Sequence, residues 1–228
     1  MKKLLVGIAL IVVVSASAQT IIPKAGITLS TLDGETSVSP PEESDSYKSV
    51  TGFSFGVGYR IGFGDLISLQ PELLFIQKGW KREYSFFYNP EDGHEDITTV
   101  KLNYLELPIL LRVALGPDNF KFHVNAGPSI GFGLNGTHEI KYRYISGIIN
   151  EQVYEGDVKF EERPENYEGD DLHIPNRIEF GAQIGGGVTL FNKIMVDIRY
   201  GLGLTDLNDD GKSKNKVLQF TVGVPIGL

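Results

Sequence analysis

The chain has no cysteine and only four histidines in 228 residues. The missing cysteine excludes a disulfide framework, a thiolate-held metal and a cysteine-linked lipid anchor. Past residue 18 no apolar run approaches the ~20 residues that a membrane-crossing helix requires. Positive charge is also short, with 21 Lys and Arg against 29 Asp and Glu and a net charge of −8. That balance argues against nucleic acid or an anionic surface as a partner.

What is present begins with an export pattern. Lys2 and Lys3 precede an apolar run over residues 4–14, and Ser15-Ala16-Ser17-Ala18 supplies an A-x-A cleavage site. The reading is a signal peptide, residues 1–18, cut after Ala18. Loss of Lys2 and Lys3 takes the charge from −8 to −10. Residues 19–228 then form one exported domain, and 27 glycines with 11% aromatic residues favour strands.

The most regular stretch is 102–115. Leu105, Leu107, Ile109, Leu111, Val113 and Leu115 share one parity, whereas Tyr104, Glu106, Pro108 and Arg112 share the other. This is strand periodicity, at about the length of a tilted membrane-crossing strand. Alternation recurs over 24–32, 51–63, 67–88, 120–144, 176–191, 194–204 and 216–228, giving eight strands. Pro71 predicts a bulge or irregularity in the third, and Tyr84, Phe86 and Tyr88 beyond it predict an aromatic cluster at a membrane interface. Asn192-Lys193 reads as a two-residue turn.

The connections alternate long and short: 33–49 long, Gly64-Asp65 short, 89–96 long, 116–119 short, 145–175 long, 192–193 short and 206–214 long. Outer-membrane barrels have short periplasmic turns, longer outer loops and an even strand number. The pattern therefore predicts an all-β fold, an eight-stranded antiparallel up-and-down transmembrane β-barrel in a bacterial outer membrane, with both termini periplasmic. Only a closed barrel lets strands satisfy every backbone group in lipid.

The segments KAGITLS (24–30), LQPELLFIQKG (69–79), LNYLELPILLR (102–112), AGPSIG (126–131) and RYGLGLT (199–205) appear in order across the chain. With these motifs it resembles the PorT-like outer-membrane β-barrel proteins of Bacteroidetes. The resemblance implies an outer-membrane barrel without known catalysis, a few relatives of which serve type IX secretion.

Parity places Lys24, Arg60, Glu72, Lys78, Glu106, Arg112, His123, Glu179, Asp197 and Arg199 in the lumen. An eight-stranded lumen is just wide enough for side chains to fill, so mutual pairing of these charges predicts a polar plug, with a narrow conduit as the alternative. Histidine-based hydrolysis has little support. His94, His138 and His173 read as lying in or near loops, and Ser129 sits six residues from His123, about 20 Å along a strand. Asp206-Leu207-Asn208-Asp209-Asp210-Gly211 matches half of a calcium loop, but Val217 occupies the position that needs a bidentate glutamate, leaving an Asp/Asn/Gly turn as the reading.

The expectation is a non-enzymatic barrel with no catalytic residue, no cofactor and no metal. The candidate outer surface is the acidic connection bearing Glu151, Glu155, Asp157, Glu161, Glu162, Glu165, Glu168, Asp170 and Asp171. Part of it, Glu151 to Phe160, is expected to extend a hairpin above the membrane, and the whole reads as a solvated excursion, or as a docking surface for a partner or for divalent cations bridging to lipopolysaccharide. Expected partners are outer-membrane lipid and lipopolysaccharide, with a protein partner at the loops or short turns as the alternative. A transport element, whether a solute conduit or a secretion accessory, and a lipid-modifying enzyme are the competing functions.

Overall fold

The computed structural model describes residues 19–33, 43–89, 92–117, 119–146, 148–166, 168–207 and 213–227. The signal-peptide reading, most of the 33–49 connection and positions 208–212 of the Asp/Asn/Gly turn lie outside them. The described strands are β1 (Gln19–Asp33), β2 (Glu43–Lys48), β3 (Val50–Phe63), β4 (Ile67–Asn89), β5 (Asp92–Leu115), β6 (Phe120–Ser146), β7 (Ile148–Lys159), β8 (Leu172–His173), β9 (Ile178–Leu190), β10 (Ile194–Gly203), β11 (Lys214–Gly223) and β12 (Ile226–Gly227). Among the described residues no helix is long and apolar enough to cross a membrane.

Eight of these strands close on themselves. β1 pairs β3, β3 pairs β4, and the ladder runs on through β5, β6, β9, β10 and β11, which returns to β1. Each of these ladders is antiparallel. A closed ring leaves no unpaired backbone row, which lipid requires.

Among the described residues the strands number twelve, against the expected eight, mainly because of what happens at the long-loop end. There β4, β5 and β6 run well past the ring. β2 pairs β4 within the connection read as loop, and β7 pairs β6 within the acidic connection. The result is an open sheet in the order β2-β4-β5-β6-β7. The two remaining strands are short. β8 pairs β7 over two residues, in parallel, and β12 is cut from β11 at Val224-Pro225, where the last strand was expected to run on. Proline has no N–H to give the ladder. Val224 N keeps the path by donating to Pro23 O at 3.0 Å.

Pro71 does not create a bulge. The register of β4 with β3 and with β5 is the same on either side of it, and only the pairs at its flank lapse. The register shifts fall elsewhere, between Phe87 and Asn89 and between Asn103 and Tyr104. The second leaves Leu134 as an extra residue in β6 and reverses the inward parity above it, so that Gly136 and His138 point in.

The outward face carries the apolar parity read from the sequence. Leu105, Leu107, Ile109, Leu111 and Leu115 are exposed, as are Phe53, Phe55, Ile130, Phe132, Ile198 and Leu202. On one side this band ends at a row of amides crossing three strands. Gln77 Nε2 donates to Asn103 Oδ1 at 3.1 Å, and Asn103 Nδ2 donates to Asn135 Oδ1 at 2.7 Å. From that row to the Ile67 end of β4 is about ten residues, the length of one crossing. Tyr84 and Phe86 stand seven to nine residues beyond the row, roughly 25 Å further along the strand. They belong to the outer sheet, where both pack against His94, and not to the interface predicted for them.

The other end carries the short turns. Gly64 takes φ +81°, and the hairpin between β9 and β10 turns on Phe191 and Asn192, at φ 52° and 53°, one residue earlier than predicted. Lys193 N closes it on Leu190 O at 2.9 Å. Both described termini meet at this end, with Thr20 opposite Gly227.

Candidate functional site: the barrel interior and its two mouths

Inward parity brings side chains from every strand of the ring to one axis. The lower-middle cluster is centred on Glu72 of β4. Lys24 of β1 donates to Glu72 Oε1 at 2.7 Å, Gln70 to the same oxygen at 2.6 Å, and Arg199 of β10 grips both oxygens at 2.8 and 3.1 Å. Asp197 extends the group, lying 3.5 Å from Lys24 and 2.5 Å from His123 Nε2. Glu72, Asp197 and Arg199 are each at most 2% exposed. Fork geometry suits arginine to this role, since two parallel N–H groups meet one carboxylate.

A second cluster lies nearer the outer end. Lys78 donates to Glu106 at 3.2 Å and to both oxygens of Glu179 at 3.3 Å, and Asn215 donates to Glu179 at 2.9 Å. The Lys78 ammonium also lies 5.0 Å from the Tyr104 ring centroid. The cavity beside Lys78, Glu106 and Glu179 measures about 10 Å³, at the limit for a single water.

Of the lumen residues expected from parity, eight thus gather into two paired clusters: Lys24, Glu72, His123, Asp197 and Arg199 in one, and Lys78, Glu106 and Glu179 in the other. Arg60 and Arg112 do not join them. Arg60 donates to Thr20 at 3.2 Å and Arg112 to Thr189 at 3.3 Å, both at the short-turn mouth.

The interior is also less polar than the charge list implied. Above the Lys78 cluster, Leu32, Ile76, Val100, Leu102, Tyr104, Val158, Phe160, Ile174, Leu207 and Val217 form one buried apolar cluster. Phe160, Ile174 and Leu207 come from the long connections, folded back into the outer mouth. The Phe160 ring meets Tyr104 edge-on at 5.3 Å, in a hollow that exists because residue 133 is glycine, where a Cβ would lie 2.5 Å from that ring. Backbone bonds hold the cap down: Ile174 N to Lys159 O at 2.9 Å and Gly133 N to Arg177 O at 2.8 Å. The signal in the sequence was the even parity that Val100, Leu102 and Tyr104 share with Glu106. The cap residues carried none, being isolated apolar positions in polar connections.

The acidic stretch is correspondingly corrected. Glu151, Glu155 and Asp157 belong to β7, in the hairpin expected over Glu151 to Phe160, which starts three residues earlier at Ile148. Glu151 takes Arg143 at 2.8 Å, and Asp171 takes Lys159 at 2.5 Å and the Asp157 N–H at 3.2 Å. His173 Nδ1 lies 4.0 Å from Glu161. Glu162, Glu165, Glu168 and Asp170 are exposed on the connection that follows. A cavity of about 610 Å³ opens beside β7, with Lys101, His138, Glu155 and Asp171 in its wall. His138, read as lying in or near a loop, lies within β6 and is buried, and His94 lies within β5. Among the described residues no group of three or more His, Asp or Glu is arranged to hold a metal ion.

Comparison with known proteins agrees with this architecture. Residues 18–209 match the family described as outer membrane protein beta-barrel domain. Among solved structures the chain is similar to Ail, the attachment invasion locus protein of Yersinia pestis, at 10% identity and TM-score 0.44, covering 92% of this chain and 99% of that one. It is also similar to OprG of Pseudomonas aeruginosa, at 9% identity and TM-score 0.40, covering 93% and 97%. Neisserial surface protein A is a third, at 11% identity and TM-score 0.38, covering 90% and 96%. Among curated protein sequences nothing matches at a significant level. With a closed ring, an apolar outer band of one-crossing height and a family match over most of its length, the chain belongs to the outer membrane protein beta-barrel domain family and is a protein of the bacterial outer membrane.

Proposed function

We propose that the protein is a non-enzymatic, eight-stranded up-and-down transmembrane barrel whose lumen is sealed, and which acts through the sheet and connections it raises above the membrane. The observation that carries this reading is the interior. Two clusters of paired charge and an apolar cap fill it, and the cavity between them is about 10 Å³. Paired, hydrogen-bonded charges tolerate burial, whereas a conduit needs a wet path that these contacts leave no room for. The His123–Asp197 pair is enclosed in the same network, away from lipid and solvent, so it lacks the access that hydrolysis of an acyl chain or peptide requires.

The finer parts of the reading follow from the same features. Short turns and both termini share one end, which favours a periplasmic placement of that end and export by a signal peptide over residues 1–18. The motifs at 24–30, 69–79 and 102–112 favour a PorT-like barrel of Bacteroidetes. The outer sheet, with the carboxylates of β7 and the connection after it, is the surface offered to lipopolysaccharide or to a protein partner. No cofactor is assigned.

Planar-bilayer recording of the refolded, heat-modifiable protein tests the sealed lumen. The expected result is no unitary conductance across the physiological voltage range. Stable, reproducible conductance steps would overturn the reading in favour of a solute conduit.

A further inference from the structure

The interior clusters match each cation to a carboxylate, and this makes the short-turn mouth stand out. Two guanidiniums, from Arg60 of β3 and Arg112 of β5, line a cavity of about 230 Å³ there, together with Lys121, Thr20, Ser68 and Asp65. That is the space of roughly seven waters at ~30 Å³ each. Six of the eight ring strands or their turns contribute to its wall, so it is a built concavity at the end of the barrel axis and not a surface dent.

Arg112 is 4% exposed, and its only hydrogen bond among the described residues is from Nη2 to the neutral Thr189 hydroxyl, at 3.3 Å. Its Nε has no partner. Arg60 likewise bonds a hydroxyl, that of Thr20. Both guanidiniums line the same cavity. The Asp197 oxygens are taken by His123 and Lys24. Asp65 sits on the exposed turn at the rim and forms no ion pair with either arginine among the described residues. Two guanidiniums, neither ion-paired to a carboxylate among the described residues, therefore share the wall of one cavity. A buried guanidinium left with an empty donor and a like charge beside it is costly unless an anion joins it.

We infer that the short-turn mouth is a binding site for a phosphate-bearing anion, held by the Arg112 and Arg60 guanidiniums with Thr20 and Ser68 hydroxyls as further donors. The planar five-donor fork suits a phosphate's several oxygens better than a single halide. The chemistry is shared by a free phosphate and by an anionic phospholipid headgroup drawn in from the adjoining leaflet. The site rests on the mouth itself and stands whether or not the lumen is sealed.

Calorimetric titration of inorganic phosphate into the mature barrel in dodecyl maltoside, which carries no phosphate, tests it at constant ionic strength. Expected is one saturable site, weakened at least tenfold in Arg60→Gln and in Arg112→Gln and unchanged in Lys48→Gln of the outer sheet. Arg60 is only half buried, so its variant keeps the test decisive if Arg112→Gln fails to give a heat-modifiable fold. No saturable binding to the folded wild type, or wild-type binding by folded Arg60→Gln, would overturn the site. Adding short-chain phosphatidylglycerol separates the sources. Displacement of phosphate by the lipid assigns the headgroup, undisturbed phosphate binding assigns the free ion, and both uphold the site.

Discussion

Glu72 is the residue on which the most interior contacts converge, since Lys24, Gln70 and Arg199 all reach it. Removing its charge leaves the buried Arg199 without its ion-pair carboxylate and Lys24 with only the longer contact to Asp197. Glu72→Leu is expected to destabilise the barrel by about 3–5 kcal/mol, the range for breaking a buried ion pair from one side, as read by urea unfolding in lipid vesicles. Lys48→Gln, which breaks the exposed Lys48–Glu83 pair, is expected to cost under about 1 kcal/mol in the same assay. That pair also has a pH signature. Hydrogen bonds from Lys48 and then Lys81 hold the Glu83 carboxyl below the usual carboxylate range. A carboxyl depressed in the folded state contributes stability above its unfolded pKa and loses it as pH falls through the folded one. Protection factors of the β2 amides, corrected for the intrinsic pH dependence of exchange, should therefore fall on acidification past the ordinary glutamate range while those of the ring stay high, and an equal response in both would refute the assignment.

The outer cap is a small element with its own prediction. Phe160 fills the hollow over Gly133 and Tyr104, so Phe160→Ala and Gly133→Ala should both unseat it, the first by deleting the ring and the second by a Cβ placed 2.5 Å from it. The cysteine-free chain makes the readout direct. A cysteine introduced at Ile174 should resist maleimide in the parent and label at least tenfold faster in either variant, and equal labelling would remove the cap as a closure. How far such elements can be read beforehand varies with the physics that sets them. The membrane strands were legible because lipid enforces strict period-two alternation, as in Leu105 through Leu115 against Glu106 and Arg112. Lumen membership of Glu72 and Arg199 followed from the same parity. Their pairing did not, because it depends on which strands face across the axis. β2 and the cap were illegible for a further reason: above the membrane neither face of a strand meets lipid, so alternation there is weak, and β7 was read only in part, as a hairpin over Glu151 to Phe160.

Taken whole, the molecule has two regimes joined at the Gln77–Asn103–Asn135 row: a closed ring in the membrane and an open five-stranded sheet above it. The ring closes on itself, whereas among the described residues the sheet ends at β2 on one side and on the other at β7, which β8 covers only over Val158 and Lys159. An unpaired strand edge is a template for another chain, and a protein confined to a membrane surface presents that edge at a fixed height and in a fixed orientation to every neighbouring copy. Lateral zippering into continuous sheet would then be a two-dimensional hazard that concentration in the membrane worsens. The placement of Glu151, Glu155 and Asp157 along β7 answers it, because copies approaching edge to edge bring like charges together. A consequence that needs no ligand is that neutralising Glu151, Glu155 and Asp157 is expected to promote edge-to-edge association of copies in the membrane, read by crosslinking in lipid vesicles.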